Sequence, residues 1–158
     1  MLIDEGLELL TEAQCIALLG SGVVGRVGVT IAGLPSITPV NYRLIEGSLV
    51  FRTGTGSKLR AASEGAVVAF EVDDFDVETQ TGWSVLAIGR GEAMTSAAEI
   101  AGLNGNAPSP WAGGLRDHYV RLVPELLTGR RIAPELPDDI NNQGVFRAPE
   151  SRGSRSGP

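Results

Sequence analysis

The residues best suited to chemistry lie in a glycine-rich segment, 54–58, between an apolar strand and a short helix. The apolar run 49–53 precedes the segment, and 58–64 is predicted to be helical, with Gly65 as its stop. A helix start after a tight turn offers free backbone N–H groups and partial positive charge. The side chains that add positive charge or hydroxyl groups are Arg52, Thr53, Thr55, Ser57, Lys58 and Arg60. This pattern predicts a phosphate-binding cup, although an ordinary strand–turn–helix with Ser57 as N-cap fits the same residues.

Two other glycine patterns resemble nucleotide-binding motifs but fail their requirements. A P-loop needs four residues between its first glycine and Gly-Lys-Ser/Thr, and 54–59 has neither this spacing nor a hydroxyl after Lys58. Gly20, Gly22 and Gly25 match Gly-x-Gly-x-x-Gly, but they follow a predicted helix and precede a predicted strand. Because a dinucleotide fold has the reverse order, we interpret these glycines as a helix end and a tight connection to the first strand.

The composition indicates a single domain of tightly turned β structure. The 158 residues contain 21 glycines and 5% aromatic residues, and the net charge of −6 argues against a nucleic-acid partner. The single Cys15 excludes an intramolecular disulfide and fits a reducing compartment, and with one histidine the sequence predicts no metal site. We find no secretory signal and no apolar run of 18 residues, so we expect a cytoplasmic protein without membrane contact.

Alternating apolar residues predict about six strands joined by short turns. Two of the turns are expected at 32–35 and 46–47, an acidic one at 73–76, and another at 128–129. Pro39 is expected to mark a strand edge or a bulge. The predicted strands cover 23–31, 36–43, 48–53, 66–72, 82–93, 118–127 and an extension at 130–132.

Helices are expected only at the periphery of this β structure. Thr11 and Gln14 have the spacing of a capping box that starts a helix, and a second short helix is predicted over 95–103. Residues 1–132 are therefore predicted to form one mostly β domain, an antiparallel barrel whose closure removes exposed strand edges. Residues 133–158, rich in Pro, Asn, Ser, Gly and Arg, are predicted to form a mobile tail.

Five blocks in order resemble the pyridoxamine-phosphate oxidase-like, flavin-nucleotide-binding split-barrel family. Together the blocks span roughly residues 8–95, and their order is more specific than any one of them. They are 11–15 with Leu18 and Leu19, 25–27, 39–42, 51–53 with 56–58, and 82–85 with 89–92.

The resemblance implies a six-stranded split β-barrel of the FMN-binding type that forms a homodimer, with FMN in grooves between the barrels. It implies that 39–42 runs along the flavin ring, that 51–53 flanks the ring and ribityl chain, and that 57–58 holds the phosphate. Ser84 is expected to contact the ring from the partner subunit, and Trp83 either contacts the flavin or packs in the dimer core. The implied cofactor-binding residues are Pro39, Val40, Asn41, Tyr42, Phe51, Arg52, Thr53, Gly56, Ser57, Lys58, Trp83 and Ser84.

The implied activity is that of an oxidoreductase that transfers hydride through FMN on an unidentified small substrate, with no assignable catalytic side chain. Oxidation of the vitamin phosphate is not implied, because 122–131 lacks the Arg-Leu-His-Asp-Arg-like ending of the namesake enzymes. One alternative is a deazaflavin-dependent reductase, whose acidic cofactor tail would require additional positive charge, for which the sequence offers only Arg43, Arg60, Arg130 and Arg131. Another is a non-catalytic flavin- or heme-binding protein.

Two further residues have open roles at this stage. Trp111 lies in a predicted loop, 102–117, and either covers a substrate or anchors the loop. His118, the one histidine, is expected to be a partly exposed residue at the start of a strand.

Overall fold

In the computed structural model the chain folds into a ring of six antiparallel strands. The structure describes residues 3–4, 7–54, 64–111 and 118–132. Its elements are β1 (Ile3–Asp4), β2 (Leu7–Leu9), α1 (Glu12–Ser21), β3 (Val24–Ile31), β4 (Leu34–Ile45), β5 (Ser48–Thr53), β6 (Glu64–Asp76), β7 (Thr81–Met94), α2 (Ala97–Ala101) and β8 (His118–Ile132). Around the ring the order is β3, β4, β5, β8, β7 and β6, and β6 pairs back with β3. The predicted mostly β, six-stranded antiparallel split barrel is confirmed.

Side chains alternate between the inside and the outside of this ring, as the period of two in a strand requires. In β4, Val40 and Tyr42 are buried in the core cluster, so Asn41 between them faces outward. In β5, Phe51 is in the core, and Arg52 therefore faces outward. This alternation decides which of the predicted site residues can present a side chain to a ligand outside the barrel.

Helix α1 closes one end of the barrel. The predicted capping box is confirmed, because the Thr11 amide donates to Gln14 Oε1 at 2.8 Å and the Gln14 amide donates to Thr11 Oγ1 at 3.3 Å. Cys15 and Leu19 are buried in the same core cluster as the strands. Cys15 therefore acts as a small apolar core residue, and burial raises the pKa of its thiol.

The three glycines at 20, 22 and 25 connect α1 to β3, which confirms the helix-to-strand order. Two aromatic rings explain two of them. A Cβ atom on Gly22 would clash with the Tyr42 hydroxyl, and a Cβ on Gly25 would clash with the Phe70 ring. The Gly-x-Gly-x-x-Gly pattern is thus explained by core aromatic side chains that occupy the space beside two of the glycines, and not by a bound nucleotide.

A second apolar cluster lies on the outside of the barrel. Val50, Met94 and Leu103 are its buried members, and Ile100 of α2, Ala107 and Tyr119 pack against them. Because Val50 faces outward between the core residues Leu49 and Phe51, this cluster holds α2 and the chain after it against the outer surface of β5. The cluster therefore places 103–111 over the outside of the barrel.

The turn predicted at 46–47 and the first half of the turn predicted at 32–35 adopt the conformation that hairpins favour, whereas Leu34 and Pro35 already belong to β4. Ala32 and Gly33 have φ of 49° and 82°, and Glu46 and Gly47 have 49° and 78°. Two successive positive φ values are typical of a type I′ turn, which matches the right-handed twist of the strands it joins.

Several predicted boundaries are wrong. The acidic stretch 73–76 lies in β6, where Asp73 accepts a hydrogen bond from Arg26 at 2.6 Å, so the chain turns only after Asp76. Residues 128–129 are not a turn but continue β8, and Gly129 is required there because Cys15 and Leu10 pack against it. The helix predicted over 95–103 is shorter, and the Ser96 side chain makes no capping hydrogen bond.

Two predictions fall mainly outside the described residues. Of the helix predicted over 58–64, the structure describes Glu64 alone, and Glu64 is the first residue of β6. The tail predicted at 133–158 lies wholly outside them.

Candidate functional site

The outer face of β4 and β5 brings together the side chains of two predicted site residues, Asn41 and Arg52. Val40, Tyr42 and Phe51 point into the core with at most 5% of their surfaces exposed. On this face those three residues can therefore offer only backbone groups to a ligand.

Next to these side chains, part of β4 lacks a second strand partner within the described residues. Pairing of β4 with β3 runs from Leu34 to Asn41, but pairing with β5 begins only at Tyr42. On its β5 side, the stretch 34–41 consequently has no strand partner within the described part of the chain. The prediction that Pro39 marks an edge agrees with this arrangement, because a proline lacks the N–H that a second partner strand would use.

The carboxamide of Asn41 is only half satisfied. Its Oδ1 accepts a hydrogen bond from the backbone N–H of Trp111 at 2.9 Å. Its Nδ2 is buried and has no hydrogen-bond partner among the residues that the structure describes. Because the Trp111 N–H must meet an acceptor, the orientation of the amide is fixed and the atom without a partner is the donor. A buried donor without a partner costs about 1–3 kcal/mol, which suggests that its partner is a ligand.

Arg52 lies on the next strand, one residue beyond the last pair of β4 and β5, Tyr42–Phe51. Its guanidinium carbon lies 5.0 Å from the centre of the Tyr119 ring, the residue opposite Arg52 in β8. This contact fixes one positive charge on the outer surface. We refer to Asn41, Arg52, Trp111 and Tyr119 together as the Asn41 face.

An ion-pair network anchors the helix next to the Asn41 face. Arg121 of β8 pairs with Glu92 of β7 and with Glu99 of α2, each at 3.4 Å. Together with the outer apolar cluster, these contacts fix the start of the segment that ends at Trp111. The described residues that follow α2 are therefore held at α2 and again at Trp111, through Asn41.

The predicted phosphate cup is described only at its first residues. The Thr53 hydroxyl is buried and donates to the Gly54 carbonyl at 2.8 Å, so its proton is directed to the backbone. Gly56, Ser57 and Lys58, together with Thr55 and Arg60, lie outside the described residues. Their assignment to a phosphate stays a prediction, in a segment that directly follows Arg52 and Thr53.

Tyr42 is a structural residue in this arrangement. Its hydroxyl donates to the Leu19 carbonyl at 2.6 Å, and its ring meets Phe70 edge to face at 4.9 Å between centroids. Burial raises the pKa of Tyr42 to about 12. The hydroxyl is therefore a neutral hydrogen-bond donor to the last turn of α1 and is not available as an acid on the outer face.

Trp83 and Ser84 lie on the opposite side of the barrel from Asn41. Two strands separate β7 from β4 in either direction around the ring. Trp83 packs against the barrel core, whereas Ser84 is exposed and faces outward. One ligand on the outside of β4 cannot also touch Ser84 of the same chain. A separate cavity of ≈ 580 Å³ adjoins Ser84, Trp83 and Arg130.

Three further observations apply to the described residues. His118 is exposed at the first position of β8, which confirms the prediction for it. The described residues contain no group of three or more His, Cys, Asp or Glu suited to a metal ion. Within the same ranges no helix is long and apolar enough to span a membrane.

Sequence reasoning missed the link between Trp111 and Asn41. The two residues are 70 positions apart, and the contact uses a backbone N–H, which leaves no trace in residue types. Sequence reasoning also missed that the Arg52 guanidinium lies over the Tyr119 ring. Its outward position was readable from the strand alternation, but its pairing with Arg52 depends on the register between β5 and β8.

The described chain is thus a six-stranded split barrel whose strand β4 has an unpaired stretch and carries a half-satisfied amide on its outer face. The family model for pyridoxamine 5'-phosphate oxidase matches residues 11–131. The chain therefore belongs to the pyridoxamine 5'-phosphate oxidase family, as the sequence blocks predicted.

Individual relatives agree with this membership. The uncharacterized protein Rv0080 of Mycobacterium tuberculosis is 34% identical over 131 residues, which are 80% of this chain and 86% of that protein. An FAD binding protein of Mycobacterium smegmatis is 31% identical with a TM-score of 0.62, over 79% of this chain and 97% of its own. An FAD-binding protein of Mesorhizobium loti shares the fold with a TM-score of 0.67 at 20% identity, over 80% of this chain and 99% of its own.

Proposed function

We propose that the chain binds a flavin on the Asn41 face and uses it as an oxidoreductase on a small molecule. The observation that carries this proposal is the buried Asn41 Nδ2, which has no partner among the described residues and lies on the strand expected to follow the flavin ring. Family membership and the FAD-binding relative at 31% identity support a flavin over other ligands. A bound flavin would supply the electron or hydride transfer.

The residues of the face fit such a cofactor. A flavin ring has several oxygen and nitrogen acceptors, for which Asn41 Nδ2 and the open backbone of 34–41 are available. A flavin also carries phosphate, for which Arg52 and the predicted cup at 56–58 offer positive charge and N–H donors. The aromatic Trp111, 75% exposed, stands at the edge of the same face. The chain's part in the reaction is thus to bind and orient the cofactor and to restrict the approach of water.

The spectrum of the purified protein tests the proposal directly. FMN, which the sequence predicts, and FAD both absorb near ~450 nm, a deazaflavin absorbs at shorter wavelength, and heme gives a Soret band, as expected from cofactor chemistry. Extraction and mass measurement then separate FMN from FAD. Protein that carries no flavin and binds neither FMN nor FAD in a titration would contradict the proposal.

We also propose that the working form is a homodimer. Ser84 faces away from the Asn41 face within one chain, so Ser84 can meet the same flavin only from a second copy. Sedimentation equilibrium should give twice the mass of the chain. As a functional check, we expect Ser84→Arg and Asn41→Arg each to weaken flavin binding, and a mixture that exchanges subunits to recover one intact site in each mixed dimer. A monomer that binds flavin at full affinity would contradict the dimer.

Replacing Lys58 with alanine is expected to weaken flavin binding by about 2 kcal/mol, or about 30-fold, the range of a charge-assisted hydrogen bond to phosphate. Lys58 is the only lysine in the sequence, so the change removes a unique group. Isothermal titration with FMN and with riboflavin, which lacks the phosphate, should show the loss for FMN alone.

Arg90→Ala is the matched control for Lys58→Ala. Arg90 lies on β7, contacts Glu125 at 3.9 Å and the Gly65 carbonyl at 3.1 Å, and its loss also removes one positive charge. The FMN affinity of the Arg90→Ala variant should stay within about twofold of the wild type, because exposed charges contribute little energy. Equal weakening by both variants would assign the effect to net charge and would refute a specific role for Lys58.

A further inference from the structure

The chain segment that ends at Trp111 contacts the candidate site through one side chain. Trp111 donates its backbone N–H to Asn41, and α2 fixes the other end of the segment through Leu103 and the Arg121 ion pairs. The hydrogen bond between Trp111 and Asn41 matters because it attaches the chain at Trp111 to β4, the strand that would carry the cofactor.

The two ends of the Asn41 carboxamide have different surroundings. The Oδ1 end is occupied by Trp111, whereas the Nδ2 end is buried and has no partner within the described ranges. A buried N–H that water cannot reach and that no described residue accepts is destabilising, and such a group commonly serves a ligand. The same amide therefore has one end held by Trp111 and one end with an unused donor.

We infer that Asn41 is a positioning residue that couples the cofactor to Trp111. Resting on the proposed flavin site, the inference assigns Nδ2 as the donor to an acceptor atom of the flavin ring. Through Oδ1 the same amide holds Trp111 beside that ring. The exposed indole then forms one wall of the space in which a second molecule meets the flavin, so Trp111 limits the size of the molecules admitted.

Three substitutions distinguish the role of Asn41 Nδ2 from the role of Asn41 Oδ1 and from that of the indole. Asn41→Asp keeps an oxygen for the Trp111 N–H but removes the donor, and Asn41→Ala removes both. Trp111→Phe keeps the backbone N–H and removes the indole. Asn106→Asp makes the same chemical change at an exposed position of the same segment and serves as the matched control.

The first measurement is flavin affinity. We expect Asn41→Asp to raise the Kd for FMN and for FAD at least tenfold and to shift the flavin absorption band, while Asn106→Asp stays within about twofold, since tenfold corresponds to one lost hydrogen bond. Unchanged affinity and an unchanged band in Asn41→Asp would overturn the donor role.

The second measurement does not need a cofactor. Hydrogen exchange at the Trp111 amide, followed by NMR, should be as slow in Asn41→Asp as in the wild type and several-fold faster in Asn41→Ala. Equal exchange in all three proteins would overturn the anchoring role. If the wild type binds neither FMN nor FAD, the proposed function and the donor role fail together, and this exchange measurement still decides the anchor.

The third measurement places the indole. A tryptophan in contact with a flavin quenches its fluorescence, so Trp111→Phe should increase the fluorescence of bound FMN several-fold. Asn106→Asp is the comparison, because it changes an exposed position of the same segment and keeps both tryptophans. Fluorescence that does not change in Trp111→Phe would overturn the assignment of Trp111 to the wall.

Discussion

Replacing Gly25 with alanine is expected to destabilise the barrel by about 3 kcal/mol, the upper end of the range for overpacked cores. The new Cβ would overlap the Phe70 ring, which is fully buried. The ring cannot move aside, because Tyr42 meets it at 4.9 Å and Phe51 stacks on it at 6.1 Å between centroids. For a chain of this length the melting temperature should fall by about 10 °C, as thermal denaturation followed by circular dichroism would report.

Gly20→Ala is the control from the same glycine pattern. The nearest atom to a Cβ at this position is Leu44 Cδ2 at 3.9 Å, an ordinary contact. Gly20 lies in α1, where alanine is favoured over glycine by up to about 1 kcal/mol, so this variant should be as stable as the wild type or more stable. If Gly25→Ala unfolded at the same temperature as Gly20→Ala, the packing explanation of the pattern would be wrong.

A second substitution checks that the clash, and not the loss of backbone freedom, causes the effect. In a Phe70→Leu background the ring is gone, and Gly25→Ala should then cost much less than in the wild type. The difference between the two costs is the coupling energy of a double-mutant cycle. We expect it to account for most of the destabilisation, because the Phe70 ring supplies the two closest contacts to the new Cβ.

The same glycines show what the sequence could and could not predict. The order of helix and strand around 20–25 was readable from local patterns, so these glycines were correctly not assigned to a dinucleotide fingerprint. The reason for the glycines was not readable, because the Phe70 ring that fills the space comes from a strand 45 residues away. Hydrophobic periodicity and turn residues predict helices and strands. The space around each glycine, in contrast, depends on the register in which the strands of the barrel pair.

The wrong strand boundaries have a similar cause. The acidic residues at 73–76 look like a turn by composition, but β6 continues through them because its register with β7 runs to the pair Asp76–Thr81. Thr128 and Gly129 look like a turn, but they pair with Leu86 and Val85, and the missing side chain of Gly129 makes room for Cys15. In both places tertiary pairing overrides a local signal.

For the candidate site, the sequence predicted positions better than orientations. The segments 39–42 and 51–53 do lie on adjacent strands, β4 and β5. Which of their side chains face outward follows from strand alternation, and Asn41 and Arg52 do so. That Ser84 lies across the barrel required the order of strands in the ring, which no local pattern contains.

Raising the pH from about 10 to about 12 is expected to remove about 2–3 kcal/mol of stability through Tyr42 alone. Burial raises the pKa of Tyr42 to about 12, from an ordinary value near ~10. The folded protein therefore holds this proton more tightly than the unfolded chain does. Its contribution is complete below pH ~10 and is lost as the pH rises to about 12, at ~1.4 kcal/mol per unit of pKa difference.

Tyr42→Phe isolates this effect from the other groups that titrate in alkaline solution. At neutral pH the variant should lose about 1 kcal/mol, because the Leu19 carbonyl at the end of α1 loses its donor. Between pH 10 and 12 the free energy of unfolding from urea titrations should fall less steeply in the variant, so that the two curves converge and then cross.

Tyr119→Phe is the matched control, since it removes the other tyrosine of the chain from the outer face and leaves Tyr42 in place. We expect this variant to keep the steep alkaline loss that depends on Tyr42. Parallel curves for wild type and Tyr42→Phe over this pH range would mean that the phenol ionises as easily in the folded state as in the unfolded one. The Tyr42 hydroxyl would then not be the buried link between α1 and β4 on which the closed end of the barrel depends.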